Sequence, residues 1–482
     1  MPVQVPSQRP TKRTKIVATI GPASQQPETL RAMVLAGMDV VRLNFSHGEY
    51  ESHAAVINYV RRLSEELDVP IAILGDLRGP RIRIGEIQGD ALSLAPGDRI
   101  ILTPETVPGN AQRISISFPG LANDLKPGDR MLIDDGDVEL RVDRLDASGD
   151  ISCTVLEGGT ISSRRGINLP GIHISLCSLT DKDRRDAAFA VEQGLDFLAL
   201  SFVQSVADVC GLKQLLAGMQ ADIPVIAKIE KKGALDDIDA IVEEAYGVMV
   251  ARGDLALEMS FQEVPIVQKH IIARCRAAAR PVITATQMLE SMIANDHPTR
   301  AEATDVANAV FDGTDALMLS GETAIGKYPV ESVATMAAIA ARAETAWAKG
   351  EVAALPELPL CCGVNATIAY LGHVAARQLR AAAIVAFTQS GSTARRVACH
   401  RPLAPIAALT PDPVTRRRLA LSWGVMPRLV AAIHDLEDIR ECAVQQVRRC
   451  DMARSGEVIV VMAGIPLGVP GKTNLLKVEQ LA

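Results

Sequence analysis

PVIAKIE (residues 224–230) is a short, β-branched apolar run of the kind that forms a buried strand, yet it ends on Lys228 and Glu230. Residues two apart on a strand point to one face, so an ammonium and a carboxylate leave this strand side by side. Seven further runs of the same character flank it: KIVATIG (15–21), VVRLNF (40–45), IAILGD (71–76), FLALSF (197–202), GVMVARG (247–253), PVITATQ (281–287) and ALMLSGE (316–322). A helical pattern follows each run except the third. Alternating strands and helices imply a parallel sheet, and eight such units imply a closed (β/α)8 TIM barrel, an α/β fold. Thr180–Asp183 and Thr299–Glu302 read as capping boxes that open two of the helices.

With 482 residues the chain exceeds one ordinary core, and its pattern divides it. Residues 1–79 and 176–348 carry the barrel. Between them, 80–175 is dense in turn signals: PGD at 96–98 and 127–129, DDGD at 134–137, ASGD at 147–150, GG at 158–159. Short alternating runs separate these turns, which predicts a small all-β domain inserted into a barrel loop. KGEVAALPELPL (349–360) reads as a linker. Residues 358–482 read as a C-terminal α/β domain with strands near 383–388, 404–409, 425–430 and 457–462. Residues 1–12 read as a loose tail.

Composition narrows the function. The net charge is −7 and aromatics make up 3% of the chain, which argues against a base-stacking or basic nucleic-acid surface. The cluster Arg416, Arg417, Arg418 reads as a solvated helix face. Nine cysteines are scattered without a CxxC, so neither a zinc site nor a disulfide framework is expected, and a reducing cytoplasm fits. The N-terminus has no apolar signal core, and no apolar run reaches the length of a membrane span.

Chemistry in such barrels gathers where strands end at the C-terminal rim. Here Asn44, Ser46 and His47 end the second strand, Asp76 the third, Ser201 the fourth, Lys228 and Glu230 the fifth. Asp254 follows the sixth, Thr286 ends the seventh, and Ser320 and Glu322 the eighth. Glu230 and Asp254 offer hard oxygen ligands from adjacent strands, as Mg2+ prefers. Lys228 and Arg42 place cations beside them, which points to an anionic substrate such as a phosphate. Taken alone, Lys228 and Glu230 read first as a rim ion pair, and Asp254 is what turns the reading towards a site. ARGDLALE (251–258) adds free backbone N–H groups at Gly253 and Asp254, where a helix begins.

These residues lie in motifs that resemble the pyruvate kinase family: TKIVATIGPAS (14–24), VRLNFSHG (41–48), SSRRGINLPG (162–171), LTDKD (179–183), ARGDLALE (251–258), ITATQMLESM (283–292), PTRAEATDVANAVFDGTDALMLSGETAIGKYP (298–329) and GKTNLLKV (471–478). The likeness runs nearly end to end, and TATQMLESM and MLSGETA are its most specific parts. It implies transfer of the phosphoryl group of phosphoenolpyruvate to ADP, giving pyruvate and ATP. By motif, Glu230 and Asp254 hold Mg2+ or Mn2+, Lys228 neutralises the moving phosphoryl group, and Arg42 contacts it. The Gly253 and Asp254 amides hold the substrate carboxylate beside Thr286. His47, Arg83 and Arg165 form the nucleotide side, with the inserted domain as a closing lid. Glu322 and Ser320 belong either to a proton relay or to the structural frame. A homotetramer is the family expectation; AGIPLGVPGKTNLLKV (463–478) is read either as a subunit contact or as packing within its own domain.

Two features depart from the family pattern. Its K+ site implies Asn44, Ser46, Asp76 and a following threonine, but Leu77 stands at that last position. Arg81 stands where K+-dependent members tend to carry an acid and K+-independent ones a lysine, so K+ is not expected to be required. FTQSGSTARR (387–396) opens a helix after a strand, an anion-binding arrangement. Thr388, Ser390, Ser392 and Thr393 line the matching effector loop of the family, while Gln389 replaces a lysine found in fructose-bisphosphate-responsive members. A monophosphorylated sugar or a nucleotide is the expected effector, against the alternative of an ordinary Ser-rich helix cap. Two other functions stay open on the residues alone: a magnesium-dependent barrel lyase acting on pyruvate or its enolate, and a family-derived subunit without catalysis.

Overall fold

The computed structural model describes residues 9–89, 91–172, 174–175, 178–353, 355–358, 363–433, 435–469 and 471–482. Eight parallel strands close into a barrel where the sequence places them: β1 (Lys15–Ile20), β2 (Val40–Asn44), β3 (Ala72–Asp76), β4 (Phe197–Leu200), β5 (Val225–Ile229), β6 (Gly247–Ala251), β7 (Val282–Ala285) and β8 (Ala316–Leu319). Neighbours in sequence pair in parallel, and β8 closes on β1 with Ala316 opposite Lys15.

Alternation along each strand sorts the side chains into two cores. Ile16, Ala18 and Ile20 of β1 face the surrounding helices. Val17, Val40, Leu74, Phe197 and Ile226 fill the barrel interior. Burying one such side chain fully stabilises the fold by about 1.5–3 kcal/mol, and burial on both faces is why these strands read as unbroken apolar runs. Packing on the outer face leaves little room: a Cβ added at Gly75 would lie 2.6 Å from the Phe45 ring and 2.8 Å from Leu195. Both predicted capping boxes form, at the helices Asp181–Glu192 and Arg300–Asp312. A third, Ser205 with Asp208, opens Val206–Gly218.

After β3 the chain builds a six-stranded sheet and a two-stranded pair around their own core of Leu102, Met131, Leu140 and Val155. The C-terminal sheet has five strands in the order Val425–Leu429, Ile406–Thr410, Ala383–Phe387, Val458–Ala463, Leu475–Gln480. The fifth, antiparallel strand was not foreseen. It comes from the LLKV end of the segment whose role was left open, and it pairs within its own sheet, Val460 opposite Val478.

Two surface readings fail. Residues 9–12 are no loose tail, because Arg9 Nη2 lies 2.8 Å from Asp39 Oδ1 and Lys12 also pairs with Asp39; residues 1–8 lie outside the described residues. Arg416, Arg417 and Arg418 do not face open solvent but join the C-terminal domain to the barrel. Arg416 binds Asp68, Arg417 Nε reaches Asp196 Oδ1 at 2.7 Å, and Arg418 pairs with Asp222 at 3.4 Å. Ala420 and Leu421 of that domain join the barrel's inner core, closing its floor.

Candidate active site

Strand parity builds the site. The alternation that turns Val40, Leu74, Phe197 and Ile226 inward also turns in Arg42, Asp76, Ser201 and Lys228, one or two steps nearer the rim. Asp76, 1% exposed, is the hub. Its Oδ2 accepts from Arg42 Nε at 2.7 Å, and its Oδ1 lies 3.2 Å from Lys228 Nζ. Arg42 also donates to Thr19 Oγ1 at 2.8 Å. Lys228 Nζ further contacts Ser201 Oγ at 2.6 Å and Glu230 Oε1 at 2.8 Å. The rim ion pair foreseen as an alternative is therefore present, inside a larger network.

Charge states follow from these contacts. Burial works against the Lys228 ammonium, but Asp76 and Glu230 outweigh it and raise its pKa above the ordinary lysine value. Burial likewise opposes the Asp76 carboxylate, and Lys228 and Arg42 reverse that and lower its pKa. Lys228 is thus a fixed cation rather than a proton carrier.

Glu230 is 2% exposed, and its second oxygen accepts the Phe202 N–H at 2.9 Å. That donor is aimed by a left-handed backbone at Phe202, φ 57°. A second strained turn ends β7, with φ 68° at Thr286 and 51° at Gln287. Such conformations cost about 1–3 kcal/mol each and persist where the surroundings enforce them. Here the enforcing residue is Arg252, which sequence reasoning missed. It donates to the carbonyls of Ala285 and Thr286, at 3.3 and 2.7 Å, and pairs with Asp305 at 2.7 Å. The same turn brings Thr286 Oγ1 to the Gly253 N–H at 2.7 Å. Asp254 lies in the first turn of the helix Arg252–Glu258, directly after β6.

Glu322, 2% exposed, accepts from Ser320 N at 2.7 Å and Leu289 N at 3.1 Å, tying the end of β8 to the loop after β7. Burial raises its pKa. Asn44 Oδ1 accepts from Ser46 N, and the exposed His47 donates its backbone N–H to Asn44 O, each at 3.1 Å. Arg83 and Arg165 stand at the inserted domain, where Arg83 donates to Arg164 O at 2.8 Å and Arg165 pairs with Asp134 at 3.2 Å. The effector-loop residues lie far along the chain in the C-terminal domain and border one pocket with Lys472, a cation not singled out from sequence. Thr388 and Thr393 are buried there, and Ser390 donates to Ser392 at 3.3 Å.

Among the described residues no three His, Cys, Asp or Glu side chains converge as a complete metal cage. Glu230, just after β5, and Asp254, in the helical turn after β6, are hard oxygen donors of the kind a divalent ion takes, with substrate and water to complete its shell. Fixed cations set beside such oxygens at a barrel's C-terminal rim define a (β/α)8-barrel phosphotransferase.

Comparison with known proteins makes this specific. Residues 11–333 match "Pyruvate kinase, barrel domain" and 366–479 match "Pyruvate kinase, alpha/beta domain". The chain is 45% identical to pyruvate kinase 2 of Synechocystis over 97% of its own length and 79% of that protein. It is 43% identical to a pyruvate kinase of Mycobacterium tuberculosis, over 98% and 99% of the two chains. A solved pyruvate kinase from Cryptosporidium parvum superposes with a TM-score of 0.91 at 36% identity, covering 98% of this chain and 96% of that one. The chain belongs to the pyruvate kinase family. The lyase alternative falls away with that membership.

Proposed function

We propose that the rim network performs phosphoryl transfer from phosphoenolpyruvate to ADP, with Arg42 and Lys228 as the catalytic cations. The observation that carries this is their joint anchoring on the buried Asp76. Both are fixed on one buried carboxylate, so they are held before substrate arrives, and stabilisation of transferring charge needs no rearrangement. Glu230 and Asp254 would hold Mg2+ or Mn2+. A divalent ion there supplies charge neutralisation for the phosphoryl oxygens. The Asp254 N–H receives the substrate carboxylate, joined by the Gly253 N–H once that amide exchanges its bond to Thr286 Oγ1 for the substrate. His47, Arg83 and Arg165 take the nucleotide, and closure of the inserted domain excludes water. For Glu322 the backbone bonds favour a framing role, with Ser320 as its partner.

K+ is not required on this reading. Both Asp76 oxygens are engaged by cations of the chain itself, Leu77 is fully buried, and the Arg81 guanidinium packs on Gly166, where an added Cβ would lie 2.7 Å from its Nε. Regulation by a phosphorylated sugar or nucleotide at Thr388, Ser390, Ser392 and Thr393 is supported by Lys472 in the same pocket. Cys153, Cys210, Cys275, Cys442 and Cys450 are free thiols, which supports a reducing cytoplasmic setting, and no described helix is long and apolar enough to cross a membrane. The homotetramer rests on the family likeness, and exposed Phe261 (80%) and Ile266 (67%) are apolar surface that a subunit contact would cover.

The test is pyruvate formation from phosphoenolpyruvate with ADP and Mg2+, first in K+-free buffer. Activity that needs ADP and Mg2+ but not K+ is expected. A tenfold rise on adding K+, against a Na+ control, would remove the Arg81 argument and leave the rest. Unchanged substrate curves across a panel of sugar phosphates and AMP would reduce the effector loop to a helix cap.

A further inference from the structure

Between the barrel and the C-terminal domain lies a cavity of about 610 Å3, remote in the fold from the rim and separate from the effector-loop pocket. Its size falls within the range of small-molecule sites. In a chain of net charge −7, its wall is locally cationic: Arg276, Arg377, Arg380 and Arg401 stand against the single carboxylate of Glu357.

Arg276 is the telling residue. It is 5% exposed, yet among the described residues it forms no ion pair with a carboxylate, and its Nη2 has only a long contact, 3.5 Å, to Cys399 O. Its Nε has no hydrogen-bond partner, and neither do Arg401 Nε or His373 Nδ1 on the same wall. Burial pulls the Arg276 pKa down to about 10, with Arg401 adding to the effect. A buried guanidinium without a carboxylate is costly unless something else supplies the negative charge. The same wall carries four ring side chains. His373 and His400 stack at 5.7 Å, Tyr370 lies 5.5 Å from His400, and Trp347 closes another side.

We propose that this cavity binds a phosphomonoester joined to a planar ring, the chemical class of the nucleoside monophosphates. The phosphate would supply the charge that Arg276 lacks, shared with Arg377 and Arg380, and the ring would lie against the histidine and tyrosine faces. Arg276 ends a barrel helix while His373 and His400 belong to the C-terminal domain, so the ligand bridges the two domains.

Trp347 and Trp423 are the chain's two tryptophans and pack against each other at 6.1 Å, so intrinsic fluorescence reports on this wall. The full-length protein is titrated with AMP, phenyl phosphate, adenosine and inorganic phosphate, following fluorescence and thermal midpoint. Saturable quenching and a raised midpoint are expected with AMP, and more weakly with phenyl phosphate, at concentrations where adenosine and phosphate do nothing. The exposed double variant Arg377→Ala/Arg380→Ala should fold normally and weaken AMP binding at least tenfold. A Ser390→Ala/Ser392→Ala variant in the effector loop should keep the AMP-induced fluorescence change of this wall, whether or not the loop takes a nucleotide of its own. AMP binding abolished by the loop variant alone, equal binding of inorganic phosphate, or no saturable signal would each overturn the proposal. These readouts do not depend on turnover, so they stand apart from the test of catalysis.

Discussion

The two ends of the barrel use the same chemistry for different purposes. At the rim, buried Asp76 is flanked by Arg42 and Lys228. At the floor, buried acids are flanked in the same way: Asp39 by Arg9 and Lys12, Asp196 by Arg61 and Arg417, and Asp315 by Arg401. Each floor acid immediately precedes a strand and accepts a backbone N–H from the strand beside it: Ile16 to Asp39 and Ile73 to Asp196, both at 2.8 Å, and Val282 to Asp315 at 3.1 Å. Arg9, Lys12, Arg61, Arg417 and Arg401 each reach in from a segment other than their acid's and end on it, so these pairs close on themselves as a clasp. At the rim the cations grow from the strands themselves, and Lys228 is shared with Ser201 and Glu230 at an open mouth. A buried ion cluster is therefore no sign of a site. What distinguishes the two is where they stand: the rim cluster lies at the C-terminal ends of the strands, where chemistry in such barrels gathers, and the floor clusters lie at their starts.

Substitutions can break this contrast. The largest effect is expected from Lys228→Met: kcat should fall about 10²–10³-fold or more, as for loss of a group that stabilises transition-state charge. The thermal midpoint should change far less, because Arg42 still holds Asp76 and Glu230, left without its cation, keeps the Phe202 N–H and can take up a proton. Steady-state pyruvate formation and calorimetry together decide this, and a large stability loss with modest kinetic loss would make the rim a clasp as well. Next comes Asp196→Asn at the floor, which strands Arg61 and Arg417. It should cost about 3–5 kcal/mol in urea unfolding while kcat per folded enzyme stays constant. A collapse of kcat in folded protein would show that the floor reaches the chemistry.

A third measurement uses pH. Lys15 at the floor donates to Val425 O at 2.9 Å, and burial lowers its pKa to about 8, with Asp39 opposing. Between pH 8 and 10.5 the unfolded chain therefore binds more protons at this position than the folded one, so the contribution of Lys15 to stability rises with pH across that window. Lys15→Met should flatten the rise; identical slopes for both proteins would remove Lys15 as its cause. The smallest effect is expected from Arg416→Ala, whose partner Asp68 is 64% exposed on its side chain. Its loss should cost no more than about 1 kcal/mol by the same unfolding assay.

The sequence alone determined the eight barrel strands, the inserted β segment and the rim residues, because period-two burial and strand-end chemistry are local properties written in short stretches. Lys228 and Glu230 could be assigned one face from spacing alone, and the capping boxes from four residues each. Only the tertiary structure decided which charges meet. Asp76 as the shared anchor of Arg42 and Lys228 joins residues from three strands, and Arg252 as the brace of Thr286 spans 34 residues. The three arginines at 416–418 show why: their partners Asp68, Asp196 and Asp222 lie 196–348 residues away in the chain. Nothing in a local window separates a solvated helix face from one that docks on another domain. Likewise the unpaired Arg276 became visible only once the cavity wall had been assembled from helices, linker and loop. Periodicity specifies which way a side chain points; what it meets is set by contacts between segments distant in sequence.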